Sequence, residues 1–398
     1  MNPNHLPKAR GNLPPGIWAL GFVSLFMDVS SELIHSLLPL FMATVLGASM
    51  TTIGIIEGIA EATASIAKVF SGALSDWLGK RKLLLLVGYG LSALTKPMFP
   101  LAGSIATVFA ARFADRVGKG IRGAPRDALV ADLTPREQRG AAYGLRQAMD
   151  SAGAVIGPLL ALAGMAMFAG DITAVLWIGV VPAGIAVLVL ATVVREPTRA
   201  AASAATSKPL QWRQARRLPW AFWQVVLLGF VFTLARFSEA FLVLRASDAG
   251  MSLAAVPLVM VVMSAAFAAA SYPAGRAADR IDRRLLLVAG MVVLALADLL
   301  LALATDSLLV LAGAALWGLH MGLTQGLLSA LVADTVPTRM RGTGFGIFNL
   351  VAGVALVLAS LIAGILWDTL GAFATFLVGG TFALLAATGV LIEKRLTT

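Results

Sequence analysis

The chain has 398 residues, of which 59% are hydrophobic and only 13% are charged. Soluble domains carry about 25% charged residues, and a soluble protein this apolar would need a larger core than one domain normally builds. Apolar stretches of about 20 residues, the length that crosses a bilayer, recur along the whole sequence. The composition therefore predicts a multi-pass protein surrounded by the lipid bilayer.

The formal net charge of +10 is distributed in a way that argues against a nucleic-acid partner. Lysine and arginine cluster after every second apolar stretch, whereas the short loops in between carry almost none. Cytoplasmic loops of membrane proteins carry this excess of positive charge. We therefore expect a bacterial inner-membrane protein with both termini in the cytoplasm, and we expect a monomer.

Several kinds of chemistry are missing from the sequence. The chain has no cysteine, which excludes disulfides and thiolate metal sites. It also lacks the Gly-x-x-x-x-Gly-Lys-Ser/Thr sequence of ATP-binding loops and the His-Glu-x-x-His and Gly-x-Ser-x-Gly sequences of two hydrolase classes. We therefore expect neither an enzyme nor a bound cofactor or metal, and any transport would draw its energy from gradients.

Hydropathy and turn residues predict twelve spans, taken in chain order. They are 17–45, 51–75, 83–102, 104–124, 140–165, 173–194, 219–244, 253–276, 285–304, 308–332, 342–366 and 372–392. The longest polar stretch, 195–218, reads as a cytoplasmic linker. The predicted division is a cytoplasmic tail (1–16), a six-helix bundle (17–194), the linker, a second six-helix bundle (219–392) and a tail (393–398).

The two predicted bundles share an internal repeat. The sequence Ala-Leu-Val-Ala-Asp at 128–132 recurs at 330–334, 202 residues later. The Gly and Asp that bound 72–76 recur at the ends of 275–279, 203 residues later. Self-similarity over so long a period indicates two copies of one structural unit, and parallel repeats of this kind build one large class of transporters.

The segment Gly72-Ala-Leu-Ser-Asp-Trp-Leu-Gly-Lys-Arg-Lys82 resembles the signature loop between the second and third helices of the major facilitator superfamily. A degenerate copy at 275–284 lies where that family repeats it, and the resemblance covers the whole chain. It implies an all-α membrane protein with twelve transmembrane helices in two pseudo-symmetric six-helix bundles, which transports a small molecule by alternating access. The gating motif that it implies comprises Gly72, Asp76, Gly79, Arg81, Gly275, Asp279 and Arg283.

In that family, the acid that matches Asp76 braces the outward-open state against the eleventh helix. The resemblance implies the same role for Asp76, and a counterpart role for Asp279 beside the fifth helix. Its glycine, Gly72, has no side chain and allows a neighbouring helix to approach closely.

The fifth span contains Gly153, Gly157 and Pro158 in the pattern Gly-x-x-x-Gly-Pro. This pattern resembles the helix-bend motif of superfamily antiporters, although the later glycines of the full motif are missing. The family's helix-4 arginine resembles Arg116 by one spacing and Arg112 by another, and the sequence leaves both open.

Charged groups inside the spans are the candidate site residues, because each costs about 2.5–3.5 kcal/mol near the bilayer centre on insertion scales. Burial also disfavours the charged form of a carboxyl group, which suits a proton carrier. The predicted proton-coupling residues are Asp28, Glu32, Arg112, Arg116 and Asp150. The predicted substrate-binding residues are His35, Glu61, Arg146, Arg236, Glu239, Trp317, His320, Gln325 and Asn349. An alternative is that such groups form salt bridges that only hold helices together.

The leading interpretation is proton-coupled efflux of a small organic solute, amphipathic or zwitterionic because the predicted cavity is charged on one side and apolar on the other. Symport or uniport uptake of an organic anion is a second possibility. A third is divalent metal transport by Asp28, Glu32 and His35, which share one helix face. A non-transporting membrane sensor or scaffold is the alternative from another class.

Overall fold

A computed structural model describes residues 13–196, 218–337 and 340–392. The predicted linker lies almost wholly outside the described residues, as do most of the first tail and all of the last. Within the described ranges every regular element is helical, in agreement with the predicted all-α class. The α-helices are α1 Pro15–Thr44, α2 Met50–Leu78, α3 Arg81–Thr95, α4 Ile105–Leu133, α5 Arg139–Met167, α6 Ile172–Ile178, α7 Val180–Thr192, α8 Trp220–Leu234, α9 Ala240–Asp248, α10 Leu258–Ala278, α11 Arg283–Leu303, α12 Ser307–Thr324, α13 Leu327–Thr335, α14 Arg341–Leu370 and α15 Ala372–Ile392, with short 3-10 turns at Lys96–Met98 and Arg136–Gln138.

The predicted continuous helix at 219–244 is wrong. It is divided into α8 and α9, and Arg236 and Glu239 lie in the break between them. Non-helical backbone at membrane depth is tolerated where it is enclosed by protein or lines a cavity. The break therefore indicates that a cavity lies beside Arg236 and Glu239.

The predicted helix at 308–332 is also interrupted, between α12 and α13. Gly326 there has a φ of 78°, a left-handed conformation that glycine adopts without steric cost. The preceding residue, Gln325, is exposed at this break. The predicted helix at 173–194 divides at Gly179, and α4 continues nine residues beyond the predicted end at 124.

Eight segments of the described chain are long and apolar enough to cross a membrane. The helices α2, α3, α4 and α8 fall outside this set. The helix α4 is rich in charged residues, α2 has Glu57, Glu61 and Lys68 along its length, and α3 and α8 are short. The chain is a multi-pass membrane protein, and the count of twelve spans stays a prediction.

The two halves pack their helices in matching ways. In the first half α4 lies against both α2 and α3, and in the second half α12 lies against both α10 and α11. The repeat extends to side chains, because Arg81 pairs with Asp132 at 3.1 Å and Arg283 pairs with Asp334 at 3.0 Å. We call the side of the molecule that carries these two ion pairs the basic face.

The halves meet most closely at the opposite face, through α2 and α14. A β-carbon on Gly54 would overlap the backbone carbonyl of Ser360, and one on Gly364 would lie 2.6 Å from the Thr51 Cα. Asp368 at the end of α14 accepts hydrogen bonds from the backbone N–H groups of Met50 and Thr51 at 3.0 and 2.9 Å. It thereby caps the start of α2, where unpaired N–H groups favour an anion. The opposite face is therefore closed.

Candidate functional site

A cavity of about 390 Å³ lies between the halves. Most of its lining residues belong to the parts of α1, α2, α4 and α5 that lie nearer the basic face, and Lys68, Lys119 and Gln147 among them are exposed. Phe267 of α10 and Gln325 line it from the second half. A second compartment of about 300 Å³ lies deeper and shares Glu32 and Glu61 with the first. The cavity is therefore accessible from the basic face in this conformation.

The first wall of the cavity is formed by α1 and α5, which pack backbone to backbone. A β-carbon on Gly157 would lie 2.7 Å from the Val29 carbonyl oxygen, and one on Gly153 would lie 2.8 Å from the Asp28 Cβ. The glycines of the predicted helix-bend motif thus permit the α1–α5 contact, and α5 continues through Pro158. This contact positions Asp28 and Glu32 on the cavity wall.

A buried ionic network lies behind the cavity between α2 and α4. Arg112 donates a hydrogen bond to Glu57 at 2.6 Å, and both side chains are 1% exposed. The same guanidinium nitrogen lies 3.0 Å from Nδ1 of His35. Arg116 pairs with Glu61 at 3.2 Å. Both candidates for the family's helix-4 arginine therefore have their own glutamate on α2.

The network extends to a lysine that was not among the predicted site residues. Lys96, in the turn after α3, is 1% exposed and contacts Asp115 at 3.0 Å and the Ser31 hydroxyl at 3.0 Å. The predicted third span, 83–102, encloses this lysine, and a single charge in so apolar a segment was a usable signal.

A second cluster joins α4 and α5 nearer the basic face. Asp150 lies 3.2 Å from Arg146 and 3.4 Å from Arg126, and Arg146 also contacts Asp127 at 3.3 Å. The structure brings the predicted Arg146 and Asp150 together as a salt bridge one helical turn apart. Arg126 and Asp127 were not among the predicted site residues.

The predicted residues of the second half fall into two groups. Arg236, Glu239 and Gln325 line the cavity, and Arg236 also lies over the Phe232 ring at 5.7 Å. The other three do not line it in this conformation, and they are Trp317, His320 and Asn349.

Two of these three belong to the interior of the second half. Trp317 is 1% exposed and packs on Phe237 with ring centroids 5.4 Å apart. His320 is fully buried, and its Nδ1 lies 2.8 Å from the Gly290 carbonyl oxygen. Packing accounts for both side chains in this conformation.

Asp298 in α11 was not among the predicted site residues. Its side chain is fully buried, and neither carboxylate oxygen has a hydrogen-bond partner among the described residues. Its neighbours include Gly379 and Gly380 of α15. A lone acid in the apolar run at 285–304 was the signal that could have revealed it.

One group of side chains has the donor types of a metal site. Donor atoms of His35, Glu57 and Glu61 lie within 4.8 Å of one another. The Arg112 guanidinium, however, contacts all three, at 3.0, 2.6 and 3.8 Å. A cation already occupies this position, so the donor set does not fit a metal ion.

The gating motif lies at the basic face. Asp76 is half-exposed and lies 3.8 Å from Arg81, which also pairs with Asp132. The carboxylate of Glu196 accepts the backbone N–H groups of Arg81 and Lys82 at 2.6 and 3.3 Å. These contacts join the start of α3 to the ends of α4 and α7. Contact between Asp76 and the eleventh span stays a prediction.

The two matched ion pairs should differ in energetic weight. The Arg81 side chain is 7% exposed, whereas Arg283 and Asp334 are 47% and 60% exposed. We expect Arg81→Gln to lower the free energy of unfolding by roughly 2 kcal/mol or more, and Arg283→Gln by less than about 1 kcal/mol. Thermal denaturation of the purified protein in detergent measures both, and equal effects would contradict the assignment.

Comparison with known proteins now defines the class. The family model of the Major Facilitator Superfamily matches residues 20–244 and 237–396, and the chain belongs to this family of membrane transporters. Over 383 residues it is 31% identical to the uncharacterized MFS-type transporter MJ1317 of Methanocaldococcus jannaschii, covering 94% of each chain. Over 169 residues it is 30% identical to the multidrug resistance protein MdtH of Proteus mirabilis, covering 42% of this chain and 38% of that one. The crystal structure of a POT family transporter in complex with 5-aminolevulinic acid shares the fold, with a TM-score of 0.79, 12% identity and coverage of 97% of both chains.

Proposed function

We propose that the protein exports a small organic solute from the cytoplasm in exchange for protons. The basic face is then the cytoplasmic face, since loops rich in lysine and arginine stay on that side. The protein works as a monomer in the bacterial inner membrane, with both termini inside. The described conformation is the state that is open to the cytoplasm.

The observation that carries the proposal is the pair of carboxyl groups on the cavity wall. Asp28 and Glu32 line a cavity that opens on the basic face, and no described residue forms an ion pair with either. A carboxyl group without a counter-ion in a partly desolvated site binds protons more readily than one in water. When these carboxyl groups face first one side of the membrane and then the other, they carry protons across it.

Two further points favour export. The α1–α5 contact uses the glycines of a motif that resembles the antiporter pattern, and this contact positions both carboxyl groups. A relative over part of the chain is named as a multidrug resistance protein. Uptake of an organic anion is less well supported, because two acids without an ion pair, Asp28 and Glu32, line the same cavity and would repel it.

The test uses purified protein in liposomes with an imposed pH gradient. Substrate exchange should follow the gradient, and Asp28→Asn or Glu32→Gln should lower proton-coupled flux at least tenfold, because an amide cannot exchange the proton. The matched control is Glu137→Gln, an exposed acid in the turn between α4 and α5. Flux that ignores both the gradient and the two substitutions would overturn the proposal.

A further inference from the structure

Four charged side chains that line the larger compartment of the cavity, of about 390 Å³, lack protein partners. They are Asp28 and Glu32 on α1, Lys68 on α2 and Lys119 on α4. In the part of the chain that the structure describes, none of them has a side-chain hydrogen bond or ion pair. The other two acids of the same compartment are each bound to an arginine. The four free charges are therefore available to a ligand.

The free charges are sorted by sign onto different walls. Asp28 and Glu32 stand where α1 packs on α5. The bases belong to the wall formed by α2 and α4, where the Lys68 stem crosses Gly123, whose β-carbon would lie 3.3 Å from it. One wall thus presents negative charge and the other presents positive charge across the same cavity.

This arrangement discriminates between ligand classes. A ligand with only positive charge would leave both lysines unpaired and would be repelled by them. A ligand with only negative charge would leave both acids unpaired and would be repelled by them. Polar groups that end up unpaired on binding reduce affinity, and like-charge contacts suppress the wrong partner. A ligand with both charges pairs all four groups.

We propose that the substrate is a zwitterion, a small organic solute whose protonated amine binds Asp28 and Glu32 and whose carboxylate or phosphate binds Lys68 and Lys119. This inference rests on the proposed function, because it names the substrate class of the same cavity. The volume of about 390 Å³ lies within the range of about 300–1,000 Å³ that is common for small-molecule sites.

The same assignment explains how exchange is coupled. The amine of the substrate and the incoming protons compete for the two carboxyl groups, so the groups hold one or the other. Protonation of the two carboxyl groups removes their attraction for the amine and so weakens the binding of the substrate. Competition for the same two carboxyl groups couples the release of substrate to the binding of protons.

Binding of ω-amino acids to the purified protein tests the proposal without any gradient. The probes are 4-aminobutyrate, 6-aminohexanoate and 8-aminooctanoate, with 6-aminohexanamide as the cation control and N-acetyl-6-aminohexanoate as the anion control. The concentration dependence of the melting temperature gives each apparent affinity. We expect the best ω-amino acid to bind at least tenfold more tightly than both controls.

Two variants add direction to the test. Lys119→Gln should reduce the preference for the ω-amino acid over the cation control at least fivefold. Glu32→Gln should reduce the preference for the ω-amino acid over the anion control at least fivefold. Glu137→Gln should change neither.

A singly charged control that binds as tightly as the best ω-amino acid would overturn the zwitterion assignment, and so would a series in which no ω-amino acid binds. If the preference holds but flux ignores the pH gradient, only the proton exchange fails. If flux follows the gradient without the preference, only the zwitterion assignment fails.

Discussion

Replacement of Arg112 by glutamine is expected to abolish transport and to lower the free energy of unfolding by about 3–5 kcal/mol. The substitution leaves Glu57 with no cation at 2.6 Å, in a position that is 1% exposed. It also removes the cation that lies 3.0 Å from His35 and 3.8 Å from Glu61. Thermal unfolding in detergent and flux in liposomes measure the two effects separately.

The double variant Arg112→Gln with Glu57→Gln isolates the cause. It removes both charges, so it should recover at least half of the lost stability. Asp298→Asn is the matched control, because it also replaces a fully buried acid, but one that has no described partner. It should stay within about 1 kcal/mol of the unmodified protein. A double variant less stable than the single one would contradict the ion-pair account.

The second large effect is expected from Gly54→Leu. A β-carbon at this position overlaps the Ser360 backbone, so α2 and α14 could no longer close the opposite face. Flux should fall more than tenfold, because alternating access requires this closure in every cycle. The matched control is Gly90→Leu on α3, where nothing lies within 4 Å of the added β-carbon.

Accessibility distinguishes a blocked closure from misfolding. The chain has no cysteine, so a single Met321→Cys reporter in the deep compartment gives an unambiguous signal. In the Gly54→Leu background, a membrane-impermeant maleimide should label this reporter faster from the opposite face. Unchanged labelling together with normal flux would show that the contact is not a gate. Asp368→Asn should act in the same direction but more weakly, because an amide still accepts hydrogen bonds from the start of α2.

The fold was predictable because its signals are periodic and repeated. Apolar stretches, alternating loop charge and the repeat that relates Asp132 to Asp334 each pointed to a two-part helical membrane protein, and the family match confirms that class. The breaks at Arg236–Glu239 and Gln325 were missed, because interruptions of membrane helices depend on neighbouring helices that fill or enclose the gap.

The sequence predicted which residues lie at the site better than it predicted which residues they pair with. Sequence placed Asp28 and Glu32 on one helix face, and the structure shows both on the cavity wall. It could not tell that Asp150 is paired with Arg126 of α4 whereas Asp28 has no ionic partner, because pairing depends on distances between helices. Trp317 illustrates the opposite error, since an aromatic side chain in an apolar span has the same sequence signature in the core as in a binding site.

The buried network also bears on how the protein enters the membrane. The charges of α4 make it a poor candidate for insertion on its own, and its Arg112 and Asp115 find their partners on α2 and just after α3. Charged residues at membrane depth are tolerated when they pair with one another. The second, third and fourth spans should therefore leave the translocon as a group, and a nascent chain that ends before α4 should expose Glu57 and Lys96 to membrane quality control.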